Sequence, residues 1–246
     1  RKNYILPGAK VEGLREFDFS EIRYDGVNIR KHINLSDYPT PELAEIAGIM
    51  LGDGNLYLDK KLKFHTIVCF HKKETSYLNY VRNLFQNYFY PYKFRIQELE
   101  HEFFLMNVSK CVGKILTLIG IKAGNKIKNK VSLPKWVFSK RKFLQSALRG
   151  LFDTDGSVYR KYDNYAQICF KFASYTLIQS LREVLIKLNF NPTKIQINHS
   201  SKGGPQWKFY LSRQGEIYRF FSEIKPANDK HVKRFERIKM GTEGLS

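Results

Sequence analysis

The sequence predicts an α+β fold in which two pseudo-symmetric αββαββα repeats each form an antiparallel sheet, a saddle backed by helices. The repeats are expected to pack through one pair of equivalent helices. Residues 48–57 and 150–159, about 100 positions apart, both show a glycine, an apolar run, Asp-Gly and a final Tyr. Shorter blocks recur in the same order at nearly the same separation, so the chain is a tandem duplication. Each copy also alternates helix-like and strand-like hydrophobic periods in one order.

The composition favours a polyanionic partner. The chain has 42 Lys and Arg against 23 Asp and Glu, a formal charge of +19, and 43% of its residues are hydrophobic, which excludes a disordered tail. Lys and Arg are spread along the whole length, which favours nucleic acid over a membrane surface. No apolar run predicts a membrane span, and three irregularly spaced cysteines predict neither disulfides nor zinc. We expect an intracellular, reducing location, cytoplasmic or organellar, and not secretion.

The repeats divide the chain into four segments. They are an N-terminal extension (1–39), a first repeat (40–121), a basic linker (122–141) and a second repeat (142–246). The first helix is predicted to begin at Thr40, because Thr is a good N-cap and Pro and Glu follow it. It runs to a stop at Gly54, where glycine would accept a positive φ. Its counterpart runs from about Lys142 to Gly156.

Each of these two motif helices is followed by two strands, a helix, two more strands and a last helix. The predicted later helices are 77–88, 112–119, 177–188 and 216–224. Antiparallel strands joined by hairpins bury one face against helices and leave the other free. Two free faces side by side would form a long concave groove.

Basic and amide side chains on these faces, in the hairpins and in the acid-free linker are predicted to contact double-stranded DNA, mainly at phosphates. A solvated charge run is the plainer alternative for the linker. The predicted DNA contacts are Lys60, Lys61, Lys63, His71, Lys93, Arg95, Gln97, Lys126, Lys128, Lys130, Arg160, Lys161, Lys194, Gln196, Asn198, Lys202, Lys208 and Arg213.

Asp53 and Asp155 each stand at the end of a motif helix. A carboxylate is disfavoured there by about 0.3–1 kcal/mol because the helix C-terminus is already partly negative. For one such site, an exposed Asp in a capped turn is the plain reading. The two sites together favour a different interpretation, because each helix carries small residues four positions apart. These are Gly48 and Gly52 on the first helix and Gly150 and Thr154 on the second. They allow the helices to approach and to bring both carboxylates together.

Two carboxylates and two helix ends in a small space favour a divalent cation with oxygen ligands, Mg²⁺ with Mn²⁺ as a substitute. Such an ion beside a phosphodiester can activate water and stabilise the leaving oxyanion. With one acid in each half, the sequence predicts a nuclease that cuts both strands of a pseudo-symmetric duplex.

Residues 46–54 (IAGIMLGDG) and 148–156 (LRGLFDTDG) resemble the two motifs of a single-chain LAGLIDADG homing endonuclease, and the resemblance extends over roughly 40 to 240. It implies that the motif helices form the interface and that Asp53 and Asp155 are the metal-binding catalytic residues. It also implies a monomer that reads a long, partly palindromic DNA site in the major groove. Such enzymes cut across the minor groove and leave short 3′ overhangs.

The resemblance adds further site residues. Gly52 and Thr154, directly before the two acids, are expected at the metal site. Members of the family also place a basic residue near the cleaved phosphates, and Lys73 and Lys171 are the candidates here. Because Ala173 stands at the position equivalent to Lys73, we expect unequal active sites. Plain phosphate contact by these lysines is the alternative.

Two motif positions depart from the family pattern. The sixth motif position is Leu51 in the first copy and Asp153 in the second, and we expect Asp153 to cap or pair and not to act in catalysis. Arg149 replaces a small residue, which suggests that the helix packing is less symmetric on that side.

Other functions are compatible with this fold. The main alternative is a non-cleaving nucleic-acid binder, such as a transcription regulator or an RNA maturase that assists intron splicing, with RNA as its partner. The paired acids favour the nuclease, although some maturases keep them. An endonuclease excised from an intein is a third hypothesis, but no splicing-junction residues mark the termini.

Overall fold

A computed structural model describes residues 38–162, 165–198 and 204–240. The first repeat comprises α1 (Pro41–Leu51), β1 (Gly54–Leu58), β2 (Phe64–His71), α2 (Thr75–Tyr88), β3 (Arg95–Glu98), β4 (Glu102–Val108) and α3 (Lys110–Leu118). A 3-10 helix (Lys135–Ser139) precedes the second repeat. The second repeat comprises α4 (Arg141–Asp155), β5 (Gly156–Tyr162), β6 (Tyr165–Phe172), α5 (Tyr175–Lys187), β7 (Gln196–Asn198), β8 (Gln206–Leu211) and α6 (Gln214–Ile224), and α7 (Asp229–Lys239) follows. The predicted duplication of αββαββα units is confirmed. Nearly all of the predicted N-terminal extension lies outside the described residues.

The strands form two four-stranded antiparallel sheets of the same topology, β1-β2-β4-β3 and β5-β6-β8-β7. In β2 the apolar side chains Val68 and Phe70 are buried against the helices, whereas His71 is exposed. The central strand β6 is more enclosed, because Gln167 and Cys169, between its core positions, are also buried. The first sheet therefore leaves a more open face than the second.

Helix α1 begins as the sequence predicts. The Thr40 hydroxyl accepts a hydrogen bond from the Leu43 amide at 3.2 Å, and Pro41 occupies the first helical position. The prediction of a glycine stop with positive φ is wrong, since Gly156 has φ −73° and α1 already ends at Leu51. Glycine is required for space: a Cβ on Gly156 would lie 2.6 Å from the Phe152 carbonyl oxygen.

Helix α7 has no counterpart among the predicted elements. It packs against β5 and β6, and it buries His231, Phe235 and Ile238. Asn228 is its N-cap, with a side-chain oxygen that accepts from the Lys230 amide at 3.2 Å. The N-cap Asn followed by an Asp was the available sequence signal. Within the described ranges, no helix has the length and hydrophobicity needed to span a bilayer.

Candidate active site

Helices α1 and α4 meet along their small residues, as predicted. A Cβ added to Gly48 would lie 2.3 Å from the Ala147 carbonyl oxygen, and one added to Gly150 would lie 2.5 Å from that of Glu45. Distances this short leave no room for a side chain, so the contact is backbone to backbone. The two motif helices therefore form the interface between the repeats.

The asymmetry suggested by Arg149 takes the form of a salt bridge across this interface. The Arg149 guanidinium is paired with the Glu45 carboxylate, whose side chain is only 2% exposed. The Tyr80 hydroxyl donates to the same carboxylate at 2.7 Å. Glu45 is thus a buried charge that depends on these two partners.

The ends of α1 and α4 bring the predicted acids together. An added Cβ on Gly52 would lie 2.9 Å from Asp155 Oδ2, so this carboxylate is directly beside the residue that precedes Asp53. Burial, followed by the negative charge of Asp53, raises the pKa of Asp155 to about 7, although the side chain still reaches solvent at one side. Burial also raises the pKa of Asp53, and the charge of Lys230 opposes this shift. The two carboxylates therefore share a crowded, solvent-accessible space.

Two lysines accompany the acids. The Lys126 ammonium donates a hydrogen bond to the Gly52 carbonyl, and burial lowers its pKa while the charges of Asp155 and Asp53 oppose the shift. Lys230 is the cation that acts most strongly on Asp53, and Lys126 is the one that acts most strongly on Asp155. Lys126 was predicted to touch phosphate, but sequence reasoning missed Lys230. The signal was present, because the block 121–126 recurs as 224–230 and places these two lysines at equivalent positions.

Lys73 and Lys171, the predicted basic catalytic residues, are both exposed side chains. Lys73 is exposed just after β2, where its amide donates to His71 Nδ1 at 3.1 Å. Lys171 is exposed on β6, opposite Lys208 of β8. The charges that act on the two aspartates come from other residues. A role for these two lysines stays a prediction.

The residues before the two acids have different surroundings. The Gly52 carbonyl faces the site and accepts from Lys126. The buried Thr154 hydroxyl donates within α4, with the Gly150 and Leu151 carbonyl oxygens at 3.0 and 3.1 Å. Gly52 can offer an oxygen to a cation, while the Thr154 side chain is engaged in its own helix.

Asp153 has the structural role that was expected of it. Its carboxylate is 1% exposed and accepts from the amides of Ala227 at 2.8 Å and Asn228 at 3.2 Å, directly before α7. Burial raises its pKa to about 7, and these hydrogen bonds oppose the shift. Asp153 therefore ties the end of α4 to the beginning of α7.

Most of the predicted DNA contacts are accessible. The exposed ones are Lys60, Lys61, Lys63, His71, Lys93, Arg95, Gln97, Lys128, Lys130, Lys161, Lys194, Gln196 and Arg213, and Arg160, Asn198 and Lys208 are half-buried. Arg95 and Gln97 lie on β3, and Gln196 and Asn198 lie on its equivalent β7. Lys130 lies beside α5. Lys202 lies outside the described residues. The structure thus places polar side chains on the equivalent edge strands of the two sheets.

Residues 142–225 match the family model described as a LAGLIDADG-like domain. The match covers α4 to α6, including Asp155, and the first repeat has the same order of helices and strands. No curated protein sequence is detectably similar to the chain.

Solved structures of homing endonucleases share the overall fold. Mesophilic variants of I-DmoI are 16% identical, with 75% of this chain and 94% of that chain aligned at a TM-score of 0.57. I-DmoI in complex with DNA and Mn is 15% identical over 75% and 96% of the two chains, with a TM-score of 0.57. I-WcaI bound to its DNA recognition sequence is 15% identical over 79% and 85%, with a TM-score of 0.51. The predicted resemblance to single-chain LAGLIDADG proteins is confirmed for the fold.

Proposed function

We propose that this protein is a divalent-metal-dependent DNA endonuclease of the homing type, which hydrolyses both strands of a long, partly palindromic target and leaves short 3′ overhangs. The observation that carries the proposal is the meeting of Asp53 and Asp155, one from each repeat, beside the Gly52 backbone. One acid for each half suits a duplex whose two strands run in opposite directions. The fold shared with DNA-bound I-DmoI and I-WcaI supports it.

The donor set fits a hard divalent cation. Asp53 and Asp155 supply carboxylate oxygens, and Gly52 supplies a carbonyl oxygen. Burial raises the pKa of both acids, and the negative charge of Asp53 raises that of Asp155 further, an electrostatic state that a cation would relieve. Among the described residues, no three His, Cys, Asp or Glu side chains are grouped to hold a metal. Waters and a DNA phosphate would complete the coordination of Mg²⁺, which keeps several waters in most proteins.

A bound divalent ion supplies an activated water and stabilisation of the leaving oxyanion. The chain's own residues position it and the DNA. Asp53 and Asp155 would hold the ion, and Lys126 and Lys230 would bring positive charge to a DNA phosphate bound at the two acids. The basic outer strands and hairpins bind the DNA backbone on both sides of the cut.

The test begins with a random-sequence duplex library, because the target is not known. Duplexes that bind the protein are incubated with Mg²⁺, and the cut ends are recovered, sequenced and tested again singly. We expect a defined site cut on both strands with short 3′ overhangs, at a rate lowered more than about 100-fold by Asp53→Asn or Asp155→Asn. Glu236→Gln, an exposed carboxylate paired with Lys239, is the matched control.

Two results would count against the nuclease. One is specific duplex binding with no cut under Mg²⁺ or Mn²⁺, and the other is preferred binding of structured RNA. Both favour the non-cleaving binder or maturase. Binding to duplex DNA should also weaken steeply as salt rises, since phosphate contacts release counterions.

A further inference from the structure

A polar network joins the two repeats beside Asp53. Glu74, directly before α2 of the first repeat, accepts through Oε1 from Lys230 Nζ at 2.7 Å and from Asn228 Nδ2 at 2.8 Å. Its Oε2 accepts from the His71 amide at 3.0 Å. The Glu74 side chain is only 14% exposed, so water screens this ion pair less than it screens an open surface pair. We call Glu74, Asn228 and Lys230 the Glu74 bridge.

The bridge is anchored on α4 through Asp153. Asn228 is 2% exposed, its amide donates to Asp153 Oδ1 at 3.2 Å, and its Nδ2 donates to the Asp153 carbonyl at 3.0 Å. The next turn of chain, the beginning of α7, carries Lys230. Glu74 therefore receives two donors that are both set by the position of α7 on α4.

A lysine side chain has four rotatable bonds, and its ammonium is a compact charge with no fixed direction. A lysine that acts on a phosphate beside Asp53 therefore gains from a partner that fixes it. Glu74 makes its shortest contact to Lys230, which is the strongest cationic influence on Asp53. The Glu74 bridge thus supplies the ion-pair partner that fixes the Lys230 ammonium beside Asp53.

The other lysine is placed differently. Ser174, which precedes α5 as Glu74 precedes α2, accepts from the Leu177 amide and donates to the Val131 carbonyl oxygen. Lys126 instead donates directly to the Gly52 carbonyl. The dependence on a glutamate is therefore expected for Lys230 and not for Lys126.

We propose that Glu74 is a positioning residue that holds the Lys230 ammonium beside Asp53 and thereby sets the rate at which one DNA strand is cut. The cutting part of this inference depends on the proposed nuclease. The positioning part can be measured without DNA.

The first experiment measures the positions of the lysines in the full-length protein by brief acetylation and mass spectrometry. In Glu74→Gln, the Lys230 amine should react at least about threefold faster than in the wild type, because the ion pair that occupies it is lost. Lys126 and Lys233 should not change. Glu223→Gln, which removes a glutamate paired with Arg141 at 2.8 Å, is the control and should leave Lys230 unchanged.

Unchanged Lys230 reactivity in Glu74→Gln would overturn the proposal. If that variant does not fold, all lysines will react faster together, and Glu74→Asp replaces it. The aspartate keeps the charge but is one methylene shorter, so it should still release Lys230. Lys230 reactivity at the wild-type value in folded Glu74→Asp would then overturn the proposal.

The second experiment follows each strand of the selected DNA site under single-turnover conditions. Glu74→Gln should slow the strand that Asp53→Asn leaves uncut by about tenfold, with the other strand and the Kd for DNA changed less than twofold. In a Lys230→Gln background, Glu74→Gln should have no further effect.

Equal slowing of both strands, or an additive loss in the double variant, would show a merely structural role and overturn the proposal. A wild-type protein that cuts no DNA would refute the nuclease instead. The acetylation result then decides on the positioning by itself.

Discussion

At the end of α1, the backbone carbonyl of Gly52 receives the Lys126 ammonium, whereas the opposite lysine, Lys230, is received by a glutamate from the other repeat. The two lysines occupy equivalent positions of the duplicated sequence, and each acts most strongly on a different aspartate. Both halves thus carry an aspartate and a lysine, but the contacts that position the two lysines differ. Two halves of one molecule can keep the same charges in place with different partners.

Neighbouring positions show the same division. Leu51 is a buried apolar residue, and its counterpart Asp153 is a buried carboxylate bound to the beginning of α7. Ile127 is 57% exposed, whereas its counterpart His231, within α7, is 1% exposed. The backbone contact between α1 and α4 is common to both halves, and polar contacts of the second half hold α7. Variants can test the shared contact and the unshared contacts separately.

The largest effect is expected from the salt bridge that breaks the symmetry of the interface. Arg149→Met should lower the free energy of unfolding by about 3–5 kcal/mol, because it leaves the buried Glu45 carboxylate without its cation. Urea denaturation measures the loss. The double variant Glu45→Gln with Arg149→Met should recover most of it, since no unpaired charge remains. An equal loss in the single and double variants would contradict this explanation.

The shared backbone contact should respond equally from either side. Gly48→Ala and Gly150→Ala should each lower stability by about 3 kcal/mol, because both methyl groups would meet backbone atoms that cannot move aside. Gly215→Ala is the control: its Cβ would meet nothing within 4 Å, and alanine in α6 should raise stability by about 0.5–1 kcal/mol. A much larger loss on one side would show that the contact is not symmetric after all.

The anchoring of α7 is expected to be specific to the second half. Asp153→Leu, which copies Leu51, should lower stability by about 2 kcal/mol because it leaves the Ala227 and Asn228 amides without their acceptor. Hydrogen exchange of the α7 amides should rise at the same time. A variant with wild-type stability and unchanged exchange would show that other contacts fix this helix.

The sequence predicts the shared parts of the molecule well. Hydrophobic period, the N-cap at Thr40 and the repeated Asp-Gly predict the elements, and the small residues at 48 and 150 predict the close approach of the helices. These features depend on local spacing or on one helix pair. The same reasoning missed the reason for Gly156, which is lack of space and not positive φ.

The unshared parts depend on contacts that are distant in sequence. Lys230 and Glu74 are separated by 156 positions, and only the packing of α7 brings them together. Strand alternation favoured Lys73 and Lys171, which are exposed in the structure and whose role stays a prediction. Comparison of the block 121–126 with 224–230 aligns Lys126 with Lys230, but it does not reveal that Lys230 pairs with Glu74. The partner of a flexible side chain is fixed by tertiary packing, which spacing does not encode.

The smallest expected effect concerns His231, which packs on Phe152 in a tilted arrangement with ring centroids 4.5 Å apart. Burial, and then the charge of Lys230, lowers its pKa to about 3 from an ordinary value of 6.5. Between pH 6.5 and 3 the unfolded chain therefore binds a proton that the folded chain does not, so this residue destabilises the fold as pH falls.

His231→Phe should remove that contribution. Relative to the wild type, its free energy of unfolding should rise by about 0.7 kcal/mol between pH 7 and pH 6, measured by urea denaturation at each pH. Ile127→Phe, at the exposed equivalent position, should show no such change with pH. Parallel pH profiles for wild type and His231→Phe would mean that the histidine binds its proton as readily in the folded protein as in the unfolded chain, which would contradict the prediction.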